Sequence, residues 1–237
     1  MIELRSVIKN YGTVRALDAV SLTIEDGEFF ALLGPNGAGK TTIIRILLDF
    51  TRPTSGTAHI GGIRSTSAAA RAKVGYLPET VIMPSYMTGY AFLERQAALG
   101  GMAGSELRHA VERQIELVGM NEKAKRRFGT YSKGMIQRIG LAAALIGSPK
   151  VLILDEPTNG LDPVGIRDFR LILEQVKKNG TTILLNSHIL SEVEKLCTCA
   201  AILNKGTVVA KDTITALVGD GKTLEDVFVE HVAATAG

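Results

Sequence analysis

The chain has 237 residues, of which 46% are hydrophobic and 22% are charged, so its composition is globular and excludes disordered and collagen-like classes. Its 27 basic and 24 acidic residues leave a net charge of +3, too small a surplus to indicate nucleic acid or anionic lipid as a partner. The two cysteines are too few for a disulfide scaffold, and the N-terminus lacks the apolar stretch of a secretory signal. No apolar run approaches the roughly 18 residues that cross a bilayer, so we expect a cytosolic chain.

Residues 1–30 predict antiparallel strands, because apolar residues alternate in two runs that are bounded by turn signals. The continuously apolar run Phe29–Leu33 predicts a strand that is buried on both faces. It leads into a glycine-rich segment from Gly34 to Gly39, after which apolar residues recur at helical spacing. The polar stretch over residues 54–62 then predicts a hairpin.

In the middle of the chain the periodicity becomes helical. Leu107, Val111 and Ile115 fall on one face of a predicted helix. We expect Ser105 to be its N-cap and Gly119 to end it. The middle of the chain therefore predicts a helical subdomain.

The buried-strand pattern returns in three apolar runs, over residues 151–154, 182–185 and 200–203. A helix is predicted between the first two, with Asp162 as N-cap and Pro163 at its first position. A strand, a helix and a strand in this order predict a parallel βαβ unit. The fold class is therefore predicted as α/β.

We predict one domain over residues 1–237, with a helical subdomain inserted into its core. Residues 1–83 and 148–210 are expected to form the core together with an antiparallel β subdomain. Residues 84–147 are expected to form the helical subdomain, and residues 211–237 a C-terminal tail.

A phosphate-binding loop of the pattern G-x-x-x-x-G-K-[ST] is predicted between the buried strand and the helix that follows it. Its glycines let backbone N–H groups converge on phosphate oxygens, and the helix N-terminus adds its positive end. We expect Lys40 to reach the β- and γ-phosphates and the Thr41 hydroxyl to bind Mg²⁺. The predicted loop residues are Gly34, Pro35, Asn36, Gly37, Ala38, Gly39, Lys40 and Thr41.

Two carboxylates follow the apolar run at residues 151–154. In α/β sheets ligands bind at the carboxyl ends of parallel strands, so Asp155 is predicted to hold Mg²⁺. The adjacent Glu156 is predicted to polarise a water molecule for attack on the γ-phosphate.

These two motifs indicate nucleotide hydrolysis and leave the class of NTPase open. A GTPase would need an aspartate three residues after Asn204, where the chain has Thr207. A small-molecule kinase would leave the segments Tyr131–Met135 and Asn159–Asp162 and the residue His188 without a role.

In order along the chain, the motifs resemble those of the ATP-binding subunits of ABC transporters, from Tyr11 to about Gly206. Tyr11 is similar to the aromatic residue that stacks on adenine, and Gly34–Thr42 is similar to the Walker A loop. Asp155 and Glu156 are similar to Walker B and its catalytic glutamate. The resemblance implies a RecA-like P-loop NTPase core that binds ATP and Mg²⁺ and hydrolyses ATP.

The remaining motifs match the parts of the family that connect two subunits. Glu79 stands at the Q-loop position, where it would ligate Mg²⁺ with Thr41 and Asp155. The segment Tyr131–Met135 is similar to the signature, whose Ser132, Lys133 and Gly134 would contact the ATP of an opposing subunit. Asp162 is similar to the D-loop aspartate, and His188 to the switch histidine, a second catalytic residue.

A finer resemblance is to the subunits of ABC-2-type transporters, mostly exporters, which share Tyr76-Leu77-Pro78-Glu79 and the Tyr-Ser-Lys-Gly-Met signature. Two features depart from the wider family. Glu79 replaces a glutamine, and the signature has Lys133 and Met135 in place of glycine and glutamine. An anion is therefore expected near the γ-phosphate.

The resemblance implies an ATPase that powers an ABC transporter by ATP-driven dimer closure. Its expected partners are an integral membrane permease and a second ATPase subunit of the same sequence, with no nucleic acid. Its expected location is the inner face of the cell membrane, held there by the permease. The alternative is a soluble ABC ATPase that acts as a switch on ribosomes or DNA. The transported cargo is left open.

Overall fold

A computed structural model describes residues 1–219 and 221–233, so residue 220 and residues 234–237 of the predicted tail lie outside the described residues. The described residues divide into unit 1, within Met1–Ala72 and Thr182–Gly237, and unit 2, Lys73–Thr181. The first segment of unit 1 contains β1 (Ile2–Tyr11), β2 (Val14–Ile24), β3 (Phe29–Leu33), α1 (Lys40–Leu47), β4 (Ser55–Ile60), β5 (Ile63–Arg64) and α2 (Ala68–Arg71). Unit 2 contains β6 (Val74–Leu77), α3 (Gly89–Leu99), α4 (Gly104–Leu117), α5 (Lys133–Leu145), β7 (Val151–Asp155) and α6 (Pro163–Lys178). The second segment of unit 1 contains β8 (Thr182–Asn186), α7 (Leu190–Leu196), β9 (Cys199–Asn204), β10 (Thr207–Thr213), α8 (Ile214–Val218) and α9 (Leu224–Ala233).

One sheet of unit 1 is antiparallel, in the strand order β2-β1-β4-β5. Ile2 lies opposite Ile24 and Leu4 lies opposite Leu22, and all four side chains are buried. The alternating apolar residues therefore form one inner face, as a period of two requires. The antiparallel strands predicted for residues 1–30 are confirmed, and β4 with β5 forms the hairpin predicted near residues 54–62.

In unit 1, β3 lies between β8 and β9 and is parallel to both, and β10 is antiparallel to β9. All five residues of β3 are buried. A strand with neighbours on both edges and cover on both faces needs continuous apolar residues, which the run Phe29–Leu33 supplies. This strand ends directly at the glycine-rich segment.

Unit 2 contains the parallel pair of β6 and β7 together with helices α3 to α6. The predicted apolar face of α4 is confirmed by the buried Val111 and Ile115. The prediction that Ser105 caps α4 is wrong, because the N-cap is Ala103, whose backbone is extended, and Ser105 already lies inside the helix. Gly119 follows the last turn with φ 64°, as predicted for the end of this helix.

Helix α6 begins as its sequence predicts. Asp162 is the N-cap, its side chain accepts a hydrogen bond from the backbone N–H of Gly165, and Pro163 occupies the first turn. Phe169, Leu173 and Val176 are buried along one face. The cap fixes where the helix starts, and with it the position of the turn that precedes it.

Candidate functional site

The phosphate loop, residues 34–39, joins β3 to α1 in unit 1. Gly39 is the N-cap of α1 and has φ 107°, a conformation that side chains disfavour. A Cβ atom built there would lie 2.6 Å from Cδ2 of Leu17 and 2.8 Å from the carbonyl oxygen of Ala16. Only glycine fits this position, so the backbone itself can approach a ligand.

Within the described residues, helix α1 begins without a side-chain cap and without an acidic residue in its first turn. The first N–H groups of a helix have no partner inside the helix, and the helix dipole adds partial positive charge there. An anion such as a phosphate can satisfy these groups. The exposed Thr41 lies in this first turn, beside the half-buried Thr42.

Lys40 opens α1, and its side chain turns back over the phosphate loop. Its Nζ donates to the carbonyl oxygens of Gly34, at 2.5 Å, and Pro35, at 3.1 Å. The residue is only 8% exposed. An ammonium group buried in this way needs polar partners, so the loop holds the cation where phosphate oxygens would arrive.

Tyr11 and His188 belong to the same unit as the phosphate loop. Tyr11 ends β1 and is 43% exposed, and Nζ of Lys9 lies 4.7 Å from the centroid of its ring. This distance suits a cation–π contact, so Lys9 supports the ring that was predicted to stack on adenine. His188 follows β8 and is exposed.

In unit 2, β7 ends at Asp155, which is 7% exposed. The half-buried Glu156 comes next and has φ 48°. A residue other than glycine in this left-handed region stores backbone strain, which is common where function fixes a side chain. Glu156 is therefore held in a strained conformation directly after the buried Asp155.

The turn from Glu156 to Leu161, called the acidic turn below, is closed by backbone hydrogen bonds. The N–H of Asn159 donates to the carbonyl oxygen of Glu156 at 3.2 Å, and the N–H of Leu161 donates to that of Thr158 at 3.1 Å. Asp162 then caps α6. The cap is a structural role, and the contact of Asp162 with a second subunit stays a prediction.

The signature segment, Tyr131–Met135, begins α5. Ser132 is the N-cap, with its Oγ accepting from the N–H of Met135 at 3.3 Å. The hydroxyl of Tyr131 donates to the carbonyl oxygen of Lys123 at 2.8 Å. Burial raises the pKa of Tyr131 above its ordinary value, so this hydroxyl keeps its proton. Ser132 is exposed and Gly134 is half-buried, which suits the predicted approach of a phosphate.

Lys133 of the signature lies against the acidic turn in the same unit. A Cβ atom built on Gly160 would collide with Nζ of Lys133 and would lie 3.3 Å from its Cε. Gly160 has φ 70°, so a side chain there would be strained, and the Lys133 side chain would have to move away from it. The sequence did not predict that the signature lysine covers this glycine.

Glu79 is exposed in the segment after β6 and contacts two other parts of unit 2. Its Oε1 accepts from Nδ2 of Asn159 at 3.3 Å. Its backbone carbonyl oxygen accepts from Nε2 of Gln137 at 3.3 Å. The sequence predicts no individual role for Asn159 or Gln137, because no pattern along the chain relates them to Glu79.

The predicted Mg²⁺ ligands are hydroxyl and carboxylate oxygens, which are the hard donors that Mg²⁺ prefers. Thr41 lies in unit 1, whereas Asp155 and Glu79 lie in unit 2. Within the part of the chain that the structure describes, no three His, Cys, Asp or Glu side chains cluster as a metal site. Each of these oxygens is by its chemistry a suitable donor, since Mg²⁺ is usually bound by one or two carboxylates together with substrate phosphates.

Comparison with known protein families gives one match to a family model. The family is described as ABC transporter, and the match covers residues 17–159. It includes the phosphate loop, the signature segment and both carboxylates after β7.

Three curated relatives illustrate the sequence similarity. An uncharacterized ABC transporter ATP-binding protein of Nostoc sp. is 43% identical over 89% of this chain, which spans only 63% of that relative. The bacitracin transport ATP-binding protein of Enterococcus faecalis is 38% identical over 92% of the chain and 70% of the relative. The lantibiotic transport ATP-binding protein of Streptococcus pyogenes is 38% identical over 98% of the chain and 97% of the relative.

Two solved structures illustrate the similarity of fold. An ATP-binding subunit of an ABC transporter superposes with a TM-score of 0.87 at 30% identity, covering 98% of this chain and 99% of that chain. A bacterial ABC transporter cassette, solved as a dimer, superposes with a TM-score of 0.81 at 25% identity, covering 90% and 98% of the two chains. The α/β fold class that the sequence predicts is confirmed.

Proposed function

The chain belongs to the ABC transporter family, as an ATP-binding domain, and from this premise we propose that it hydrolyses ATP to power an ABC transporter, with export as the expected direction. The observation that carries the proposal is the phosphate loop of unit 1. It combines a backbone position that only glycine fits, a helix start without a side-chain cap, and the buried Lys40. The relatives named for bacitracin and lantibiotic transport support a role in transport, and the direction is proposed from the resemblance of the Glu79 and signature segments to those of ABC-2-type subunits.

ATP binding is assigned to the residues of unit 1. Backbone N–H groups at the start of α1 receive the phosphates, and Lys40 exchanges its carbonyl partners for phosphate oxygens. Tyr11, with Lys9 on its ring, offers an exposed face to adenine. The Thr41 hydroxyl, Asp155 and Glu79 are the proposed Mg²⁺ ligands.

Hydrolysis is assigned to the carboxylate that follows β7. Glu156 orients a water molecule and accepts its proton as the water attacks the γ-phosphate. Mg²⁺, when bound, neutralises charge on the phosphates. The exposed imidazole of His188 is the proposed second catalytic group, and its ring nitrogens can hydrogen-bond a phosphate oxygen.

The proposed working unit is a pair of subunits that closes over ATP. Ser132, Lys133 and Gly134 of one subunit would contact the ATP held by the phosphate loop of the other. Lys133 is exposed, and the first turn of α5 contains no acidic residue. Both features suit a contact with phosphate. The bacterial cassette solved as a dimer supports this arrangement by similarity.

The proposed site for the permease is the docking segment, residues 79–92. Ile82 is 87% exposed and Tyr86 is 72% exposed, which is more apolar surface than a connecting segment requires. Met83 and Met87 are half-buried, so they contribute less to this surface than Ile82 and Tyr86. Within residues 1–219 and 221–233 no helix combines the length and apolarity needed to span a bilayer.

Copurification tests this assignment. The tagged chain should leave detergent-solubilised membranes with an integral membrane protein, and the double change Ile82→Ser with Tyr86→Ser should release that protein. Leu99→Ser is the matched control, because Leu99 is 77% exposed at the end of α3 in the same unit. Retention of the membrane protein by the double variant would contradict the docking assignment. Sedimentation of the chain with ribosomes or DNA would instead support the alternative function.

A further inference from the structure

We propose that Asn159 is a positioning residue for ATP hydrolysis, which ties the acidic turn to Glu79 and so fixes the carboxylate of Glu156. The proposal rests on the proposed function and adds to it a physical connection between the docking segment and the site of hydrolysis. It depends on contacts within unit 2 alone.

The first observation is that Glu79 is held at two points. The Asn159 amide donates to its carboxylate, and the Gln137 amide donates to its backbone carbonyl, both at 3.3 Å. Gln137 lies on α5 and is only 2% exposed, so its end of the contact is rigid. Glu79 therefore joins α5 to the acidic turn.

The second observation is that further contacts restrain the conformation of the acidic turn. Asn159 also hydrogen-bonds through its backbone N–H to Glu156, and Lys133 covers the next residue, Gly160. Glu156 is in the strained left-handed region. Strained conformations persist only where the surroundings hold them, and the Asn159 contacts are among those that do so.

The consequence is a route from the docking segment to the candidate catalytic carboxylate. Glu79 is the first residue of the docking segment, so a partner that displaces this segment changes the hydrogen bond to Asn159. The acidic turn then restrains or releases the Glu156 carboxylate, and the rate of ATP hydrolysis rises or falls accordingly. In this hydrogen bond the Asn159 amide is the donor and the Glu79 carboxylate is the acceptor. Exchanging the two functional groups would reverse donor and acceptor with little change in side-chain shape.

The test exchanges the two functional groups. Asn159→Asp removes the donor and sets two carboxylates against each other, so turnover of ATP should fall about tenfold, the rate change that corresponds to ~1.4 kcal/mol. Glu79→Gln leaves an amide that can still accept a hydrogen bond, so its effect should be smaller. The double variant restores an amide donor and a carboxylate acceptor in reversed positions, so its turnover should rise from that of Asn159→Asp to within about threefold of that of Glu79→Gln, which carries the same change at the proposed Mg²⁺ ligand.

Two controls separate this role from a general effect of charge or packing. Asn121→Asp adds the same charge to an exposed position in the same unit, and its turnover should match the wild type. Asn159→Leu removes the hydrogen bond without adding charge, and Glu79→Gln should not repair it. Unfolding midpoints of all variants report the contact independently of ATP.

Turnover in the double variant as slow as in Asn159→Asp, with its unfolding midpoint restored, would overturn the positioning role. A double variant whose turnover and midpoint are both as low as those of Asn159→Asp would overturn the link itself. Absence of turnover in the wild type would overturn the proposed function, while recovery of the midpoint would still report the contact. Recovery of both quantities supports the proposal.

Discussion

The phosphate loop of unit 1 and the acidic turn of unit 2 hold their candidate site residues by different means. The loop depends on backbone geometry, because Gly39 has no room for a side chain and α1 starts without a cap. The acidic turn depends on side chains from distant parts of the chain, because Glu79 and Lys133 contact it at Asn159 and Gly160. The loop can be predicted from a local sequence pattern, whereas the contacts of the acidic turn can be found only in the folded unit.

The first way to test this contrast is to add a methyl group to the loop. Gly39→Ala meets Leu17 and the Ala16 carbonyl and also requires a strained φ, so we expect it to lower the free energy of unfolding by about 2–4 kcal/mol. Gly37→Ala is the matched control, since it has φ 81° but no atom within 4 Å of its Cβ position. Its cost should be about 1 kcal/mol.

Chemical denaturation of the purified variants measures both values, and nucleotide affinity can be measured on the same samples. Gly39→Ala should also lose at least about tenfold in ATP affinity, because the start of α1 must shift. Equal free energies of unfolding for Gly39→Ala and Gly37→Ala would show that packing against Ala16 and Leu17 does not require glycine at position 39.

A smaller effect sharpens the contrast within unit 2. Ser132→Ala deletes the side chain that accepts a hydrogen bond at the start of α5 and should lower the free energy of unfolding by about 1 kcal/mol. Ser105→Ala changes the same residue type inside the first turn of α4, where Ser105 caps nothing. Its effect should stay within about 0.5 kcal/mol. Equal losses would mean that the cap of Ser132 does not stabilise the fold.

These two serines also show how far the sequence predicts the fold. The cap at Asp162 is predictable because a proline and an apolar helical face follow it directly. The Ser105 prediction failed because the helix starts one residue before it, after a turn whose glycines leave the starting point open. The buried strands were predictable from continuous apolar runs, since β3 is apolar throughout and β7 is apolar up to its last residue, Asp155.

The candidate site divides in the same way. The phosphate loop and the carboxylates Asp155 and Glu156 lie at the ends of buried strands, so local pattern and strand order were sufficient to predict them. The hydrogen bond between Glu79 and Asn159 joins residues 80 positions apart, and the cover of Gly160 by Lys133 depends on how α5 meets the acidic turn. No spacing along the chain encodes either contact.

The most direct measurement is ATP turnover by the purified chain beside nucleotide affinity, for the wild type, Lys40→Ala and Glu156→Gln. Lys40 contacts the phosphate loop and would contact phosphate before and during reaction, so Lys40→Ala should lose binding and turnover together. Glu156→Gln keeps the shape of the side chain but removes the base, so turnover should fall by about 10²–10⁴ while ATP still binds. Turnover near the wild-type rate in Glu156→Gln, with binding intact, would contradict the account.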